Sequence, residues 1–180
     1  MAKNKSFEDF VAKHSTGSET PTFDPEKEIQ EWQVALDSLY ALIESFVLPY
    51  KEAGSVALKF VPTTLHEESL GAYKVNKGVL TVGNAKYILA PVGTMLIGSK
   101  GRVDVLGPTG TGMLALVRGD GPKINVRVTI GSEATPSVDK FESEKSKLPW
   151  KWKVVSNKPP YTYMELTENN FLSLLMELAA

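Results

Sequence analysis

Cysteine is absent from this chain of 180 residues. That removes thiolate zinc sites, redox pairs and disulfide staples from consideration. Histidine is nearly absent: His14 and His66 are the only two, too few and too far apart to place two imidazole ligands on one helical face. Nowhere do 18 apolar residues run together, and the opening stretch MAKNKSFEDFVAKHSTGSE has no apolar segment of the kind that directs secretion. These features lead us to expect a cytoplasmic protein that does not enter a membrane and has no metal or other cofactor. Charge of one sign is lacking too. Twenty basic and 21 acidic side chains leave a net charge of −1, so there is no global pull toward nucleic acid or an anionic surface. Arginine is scarce, and all three arginines, Arg102, Arg118 and Arg127, fall in one short region.

The most informative stretch is Asp24 to Leu48. Its large apolar residues, Ile29, Trp32, Leu36, Leu39, Ile43 and Phe46, recur at alternating steps of three and four and form one stripe along an α-helix. Asp24 reads as its N-cap, Pro25 as its first residue, and Glu26 and Glu28 sit near the positive end of its dipole. Pro49 reads as its stop. Residues 1–23 are polar and rich in Ser, Thr, Gly and Pro, which predicts a disordered tail with a short helix around Phe7 and Phe10. The expected organisation is therefore this tail followed by a single α+β domain over 24–180.

Beyond the helix the period changes to two. Val56, Leu58 and Phe60 alternate with Ala57 and Lys59 as in a half-buried strand, which Pro62 is expected to end. Turn residues then recur at short intervals, at Asn76-Lys77-Gly78, Gly83-Asn84, Val92-Gly93, Ser99-Lys100-Gly101, Gly107 to Gly112 and Arg118 to Pro122, between short runs of Val, Ile, Leu and Tyr. Gly83-Asn84 is the sharpest hairpin signal. Ile124, Val126, Val128 and Ile130 alternate with polar residues, 132–148 reads as a long polar loop, and Trp150 to Val154 returns to period two. Thr167 caps a last helix with Phe171, Leu174, Leu175 and Leu178 on one face. The predicted architecture is a long N-terminal helix packed on a strongly twisted antiparallel meander of eight or nine strands, open or curled toward a barrel, with the C-terminal helix closing an end.

Chemical motifs are weak. Gly110, Gly112 and Ala115 fit a dinucleotide fingerprint by spacing, but no helix of adequate length follows, and a hairpin turn explains them better. His66-Glu67-Glu68 has no second histidine beside it; His66 or Glu67 would serve as a general acid or base only through neighbours in space. Ser99 lacks the flanking pattern of a nucleophile elbow. Arg118-Gly119-Asp120 spells an adhesion tripeptide that hairpin geometry already accounts for. In Trp150-Lys151-Trp152-Lys153 the strand period separates tryptophans from lysines, which predicts core tryptophans and solvated lysines rather than a nucleic-acid platform. Glu31, Asp37, Ser38 and Glu44 give the long helix a polar face open to a basic partner.

The candidate site rests on hairpin register. With Val103 opposite Val117 and Val105 opposite Ala115, and with Val117 then opposite Ile124, one face carries only apolar side chains. The other face carries Leu114 and Leu116 ringed by Arg102, Asp104, Arg118, Asn125 and Arg127. Leucines within a rim of arginine resemble the centre of a protein interface. The expectation is a non-enzymatic protein-binding module, immunity- or chaperone-like in general character. The alternative is an enzyme or binding protein for a small anionic ligand held by the arginines.

Overall fold

The first helix, α1, spans Pro25–Glu52. It starts where the Asp24 carboxylate accepts the N–H groups of Glu26 and Lys27, at 3.1 and 3.2 Å, and satisfies donors that the first turn leaves without partners. Pro49 does not stop it. A proline this close to the end forfeits one helical bond, from the carbonyl of Ser45, and Ser45 is exposed to water that can replace it. The chain leaves the helix three residues later, and Gly54 takes a positive φ of 76°.

The computed structural model describes residues 23–94, 98–122, 148–156 and 160–180. Among these residues seven strands follow α1: β1 Val56–Glu67, β2 Gly71–Val82, β3 Ala85–Gly93, β4 Gly101–Leu106, β5 Thr111–Arg118, β6 Trp150–Val155 and β7 Tyr163–Glu165. A second helix, α2, spans Glu168–Glu177. The strands form one antiparallel sheet in chain order, a simple meander. Among the described residues β1 and β7 are its two edges, so this sheet does not close into a barrel. The alternating segment expected at Ile124–Ile130, the polar loop after it and the N-terminal tail lie outside the described residues.

Four of the six stripe residues, Trp32, Leu36, Leu39 and Ile43, are at most 2% exposed, while Ile29 and Phe46 at its two ends are only partly buried. Together with Val47, the four pack with Leu80, Leu89, Val103, Val105 and Leu114 in one core. Burying each such side chain contributes about 1.5–3 kcal/mol. Backbone without side chains lets this layer come close: a Cβ on Gly101 would collide with the Trp32 ring, and one on Gly112 would lie 2.6 Å from Leu174 Cδ1. The Trp152 ring on β6 lies 6.0 Å from that of Trp32, tilted by 40°, and its Nε1–H donates to the Ala35 carbonyl at 3.1 Å. α2 is capped by Thr167, as its sequence indicates, and buries Phe171, Leu174, Leu175 and Leu178 in the same core. It is tied down by the Tyr87 hydroxyl, which donates to the Leu175 carbonyl at 2.9 Å.

The first hairpin departs from expectation in two places. Pro62 lies inside β1 instead of ending it, and Asn76-Lys77-Gly78 lies inside β2 instead of forming a turn. Both follow from the same geometry. The Gly83 N–H donates to the Ser55 carbonyl at 3.1 Å, and the β1–β2 register runs unbroken from Val56↔Val82 to Glu67↔Gly71. Hydrogen-bonded pairs alternate along an antiparallel ladder, so odd-numbered residues of β1 bond to β2 and even-numbered ones point their N–H and C=O outward. Proline is tolerated at 62 because its missing N–H belongs to the free edge. In β2 the even-numbered residues face β3, but pairing with β3 stops at Gly78↔Leu89. Past that point α1 takes over: Gln33 Nε2 donates to the Lys74 carbonyl at 2.9 Å and the Tyr40 hydroxyl to the Asn76 carbonyl at 2.6 Å. The buried residues of β2 change parity there, from Tyr73 and Val75 to Leu80. Gly78 is the pivot, its position filled by the Leu89 side chain.

Candidate functional site

The register of the β4–β5 hairpin is not the expected one. Gly107 N–H donates to the Gly110 carbonyl at 2.8 Å, which closes the loop tightly on Pro108-Thr109. Val103 thus faces Leu114, and Gly101 faces Leu116. This is an odd shift from the expected pairing of Val103 with Val117, and an odd shift turns a strand over. Leu114 and Leu116 therefore sit in the core, at 0% and 5% exposure. They are not the centre of a surface patch. Ala115 and Val117 take the opposite face, in a smaller cluster with Val155 bordered by Met113 and Tyr163. β5 pairs on its other side with β6, Leu114 to Val154 and Val117 to Lys151, so it is not available to Ile124 or Val126 along this stretch. The loop that carries Gly110 is docked on α2: Thr109 donates its N–H and its hydroxyl to the Leu178 carbonyl, at 3.1 and 3.0 Å.

The remaining members of the expected site do not converge. Arg102 and Asp104 lie on the face away from the core and bond to each other, Nε to Oδ1 at 2.6 Å and Nη2 to Oδ2 at 3.0 Å. Arg118, at the end of β5, stacks its guanidinium 4.4 Å from the centre of the Trp150 ring, with its Nε buried and unpartnered among the described residues. Arg127 lies outside the described residues. Lys151 is exposed, but the expectation of solvated lysines fails at Lys153. That side chain is 8% exposed and pairs with Glu165 at 3.0 Å, and the ammonium holds the Glu165 carboxyl below its usual range.

The acidic face of α1 is partly neutralised, since Glu31 pairs with Lys100 and Glu44 with Lys51. Hydrogen bonding to Lys100 lowers the Glu31 pKa. His66 is exposed at the far end of β1. Its neighbour Glu67 takes part in a tie across the sheet: it accepts the Thr94 N–H at 3.0 Å, the Thr94 hydroxyl at 3.2 Å and the Tyr73 hydroxyl. Burial, then the bond to Glu67, raises the Tyr73 pKa. Among the described residues no group of His, Asp and Glu is placed to hold a metal ion, and no helix is long and apolar enough to cross a membrane.

Two surface features remain. One is an open cleft of about 310 Å³ between α1 and the hairpin arm, lined by Gln33, Leu36, Asp37, Tyr40, Pro62, Lys74, Val75 and Asn76. Burial, then the Asp37 charge, raises the Tyr40 pKa. The other is the free edge of β1. Val56, Leu58, Phe60, Thr64 and His66 direct N–H and C=O groups outward, among the described residues β1 pairs with β2 alone, and Phe60 and Val61 expose 38% and 40% of their surface. An edge of this length is a template for a further strand. The apolar alternation at Val56 to Phe60 signalled a strand here, but reading Pro62 as its end hid the length of the edge. Chain comparisons add no relative: no family model, no curated protein and no solved structure matches.

Proposed function

We propose that this chain is a non-enzymatic, cytoplasmic protein-binding module that takes up an extended segment of a partner as an added strand along β1. The observation that carries this reading is the twelve-residue edge strand, which among the described residues pairs on one side only. Main-chain bonds to the outward groups of Val56, Leu58, Phe60, Thr64 and His66 supply the pairing. The exposed Phe60 and Val61, on opposite faces of the strand, supply apolar contact. Pro62 and Lys59 restrain the edge from indiscriminate pairing, as such residues do on the edges of many sheets. The alternative, a binder of small anions, has less support: Arg102 is engaged with Asp104 and Arg118 with Trp150, and the cleft beside α1 is lined by no arginine.

The experiment is selection of displayed random peptides on the immobilised full chain, repeated with Thr64→Pro. That substitution removes an outward N–H and leaves the β1–β2 ladder untouched. Recovered peptides should bind the parent chain and not the variant, with the variant's melting temperature unchanged. Peptides that bind both equally would place recognition elsewhere and refute the edge reading.

A further inference from the structure

Resting on that reading of the edge, we infer that the strand this edge fits is β1 of a second copy, paired antiparallel about a twofold axis through Val61. The outward groups belong to even-numbered residues from Val56 to His66, so the paired numbers in any hydrogen-bonded self-pairing add to an even total. Only the arrangement centred on Val61 matches the whole set, with Val56 opposite His66, Leu58 opposite Thr64, and Phe60 opposite Pro62. Each Pro62 lacks a single donor there, and the Phe60 carbonyl of the other copy is the only group left short.

Neighbouring symmetrical registers are worse for identifiable reasons. Centred on Pro62, the two prolines meet in one hydrogen-bonding pair and both of its donors are missing. Centred on Lys59, two ammonium groups face each other at the axis, a like-charge opposition that destabilises sheets. Centred on Phe60, the His66 backbone finds no partner. In the Val61 register the even-numbered face sets Phe60 beside Pro62 and Leu58 beside Thr64, and the odd-numbered face is free of charge conflict. Val61 meets Val61 of the second copy, Lys59 lies beside Thr63, Ala57 beside Leu65, and no two like charges are opposed. A twofold interface uses the same patch twice, and the exposed part of β1 is such a patch: Lys59, Phe60, Val61, Pro62, Thr64 and His66 are all exposed in the single chain.

The cysteine-free sequence makes the test direct. Across a non-hydrogen-bonded pair the two Val61 Cα atoms lie about 4.5 Å apart, within the span of roughly 4.4–6.8 Å that a disulfide bridges. Two Ala57 residues in the same dimer are offset by eight positions, about 26 Å along the strand. Full-length Val61→Cys and Ala57→Cys are each oxidised under mild conditions and resolved on a non-reducing gel, alongside sedimentation equilibrium of the unmodified chain. The inference predicts a monomer–dimer equilibrium, conversion of Val61→Cys to a covalent dimer, and no conversion of Ala57→Cys. A chain monomeric throughout, or Ala57→Cys linking as readily as Val61→Cys, overturns it. If the chain is monomeric while selected peptides are still lost with Thr64→Pro, the edge reading stands and only the second copy falls. If peptides and dimer both ignore Thr64→Pro, the edge reading itself falls.

Discussion

Tyr40 donates its hydroxyl to the Asn76 carbonyl at 2.6 Å and so joins α1 to β2 just beyond the last residue of β2 that pairs with β3. The tyrosine is 5% exposed, and its ring lies 4.8 Å from that of Phe60. One side chain thus supports both strands of the hairpin that carries the free edge. Tyr40→Phe keeps the ring and leaves the Asn76 carbonyl without its donor, which should lower unfolding free energy by about 1–3 kcal/mol. Urea denaturation measures this directly; an unchanged midpoint would mean that water replaces the hydroxyl at no cost.

The same buried phenol gives the fold an alkaline limit. Burial raises the pKa values of Tyr40 and Tyr73, so the folded state disfavours both phenolates relative to the unfolded chain. Their contribution is whole below the ordinary tyrosine value of about 10 and is lost as pH rises above it. Denaturation midpoints compared at pH 9 and pH 11 should fall for the parent chain and fall less for Tyr40→Phe. Equal losses in both would remove Tyr40 from this role.

Leu39 is wholly buried in the core while Glu44 pairs with Lys51 near the surface. Leu39→Ala should cost about 2–5 kcal/mol, and Glu44→Ala should stay within about 0.5 kcal/mol because exposed pairs contribute little. Comparable melting temperatures for the two variants would contradict the packing of α1 on the sheet.

Lys153 is buried with Glu165 as its ion-pair partner. Because the Glu165 pKa is lowered by Lys153, the stability it contributes is present above the usual carboxylate value of about 4.3 and is lost as pH falls below it, through the lowered folded value. Glu165→Gln should therefore be less stable than the parent at pH 7, and the gap should narrow steadily as pH falls below about 4. A gap that stays constant with falling pH would assign the effect to packing instead of charge.

Much of this architecture is legible in the residues. The step of three and four at Trp32, Leu36, Leu39 and Ile43 locates α1, Asp24 and Thr167 mark the helix starts, and Gly83-Asn84 marks a two-residue hairpin. What the pattern left open was register. β5 reads Met113-Leu114-Ala115-Leu116-Val117, apolar on both faces, so alternation cannot say which side is core. Pro108 in the loop was the missing cue, because a turn closing on Pro108-Thr109 places Leu114 opposite Val103. The length of β1 was hidden for a related reason. Proline ends a strand only where its N–H is needed, and which way residue 62 points depends on the ladder phase set by Gly83 and Ser55.

That phase yields a paired prediction. The Thr63 N–H points to β2 and the Thr64 N–H points away from it, with no partner strand among the described residues. Thr63→Pro should cost about 1–3 kcal/mol through a lost ladder bond and an unpaired carbonyl, and Thr64→Pro should leave stability nearly unchanged. The opposite order in thermal melts would reverse the assignment of the free edge.

Strand addition at β1, proposed above, is read residue by residue in amide hydrogen exchange. In the dilute chain the ladder amides of Lys59, Val61 and Thr63 should exchange slowly and those of Leu58, Phe60 and Thr64 quickly. When a selected peptide is added, or the chain is concentrated, Leu58, Phe60 and Thr64 should become protected together. Binding or self-association with those three amides still exchanging quickly would contradict it.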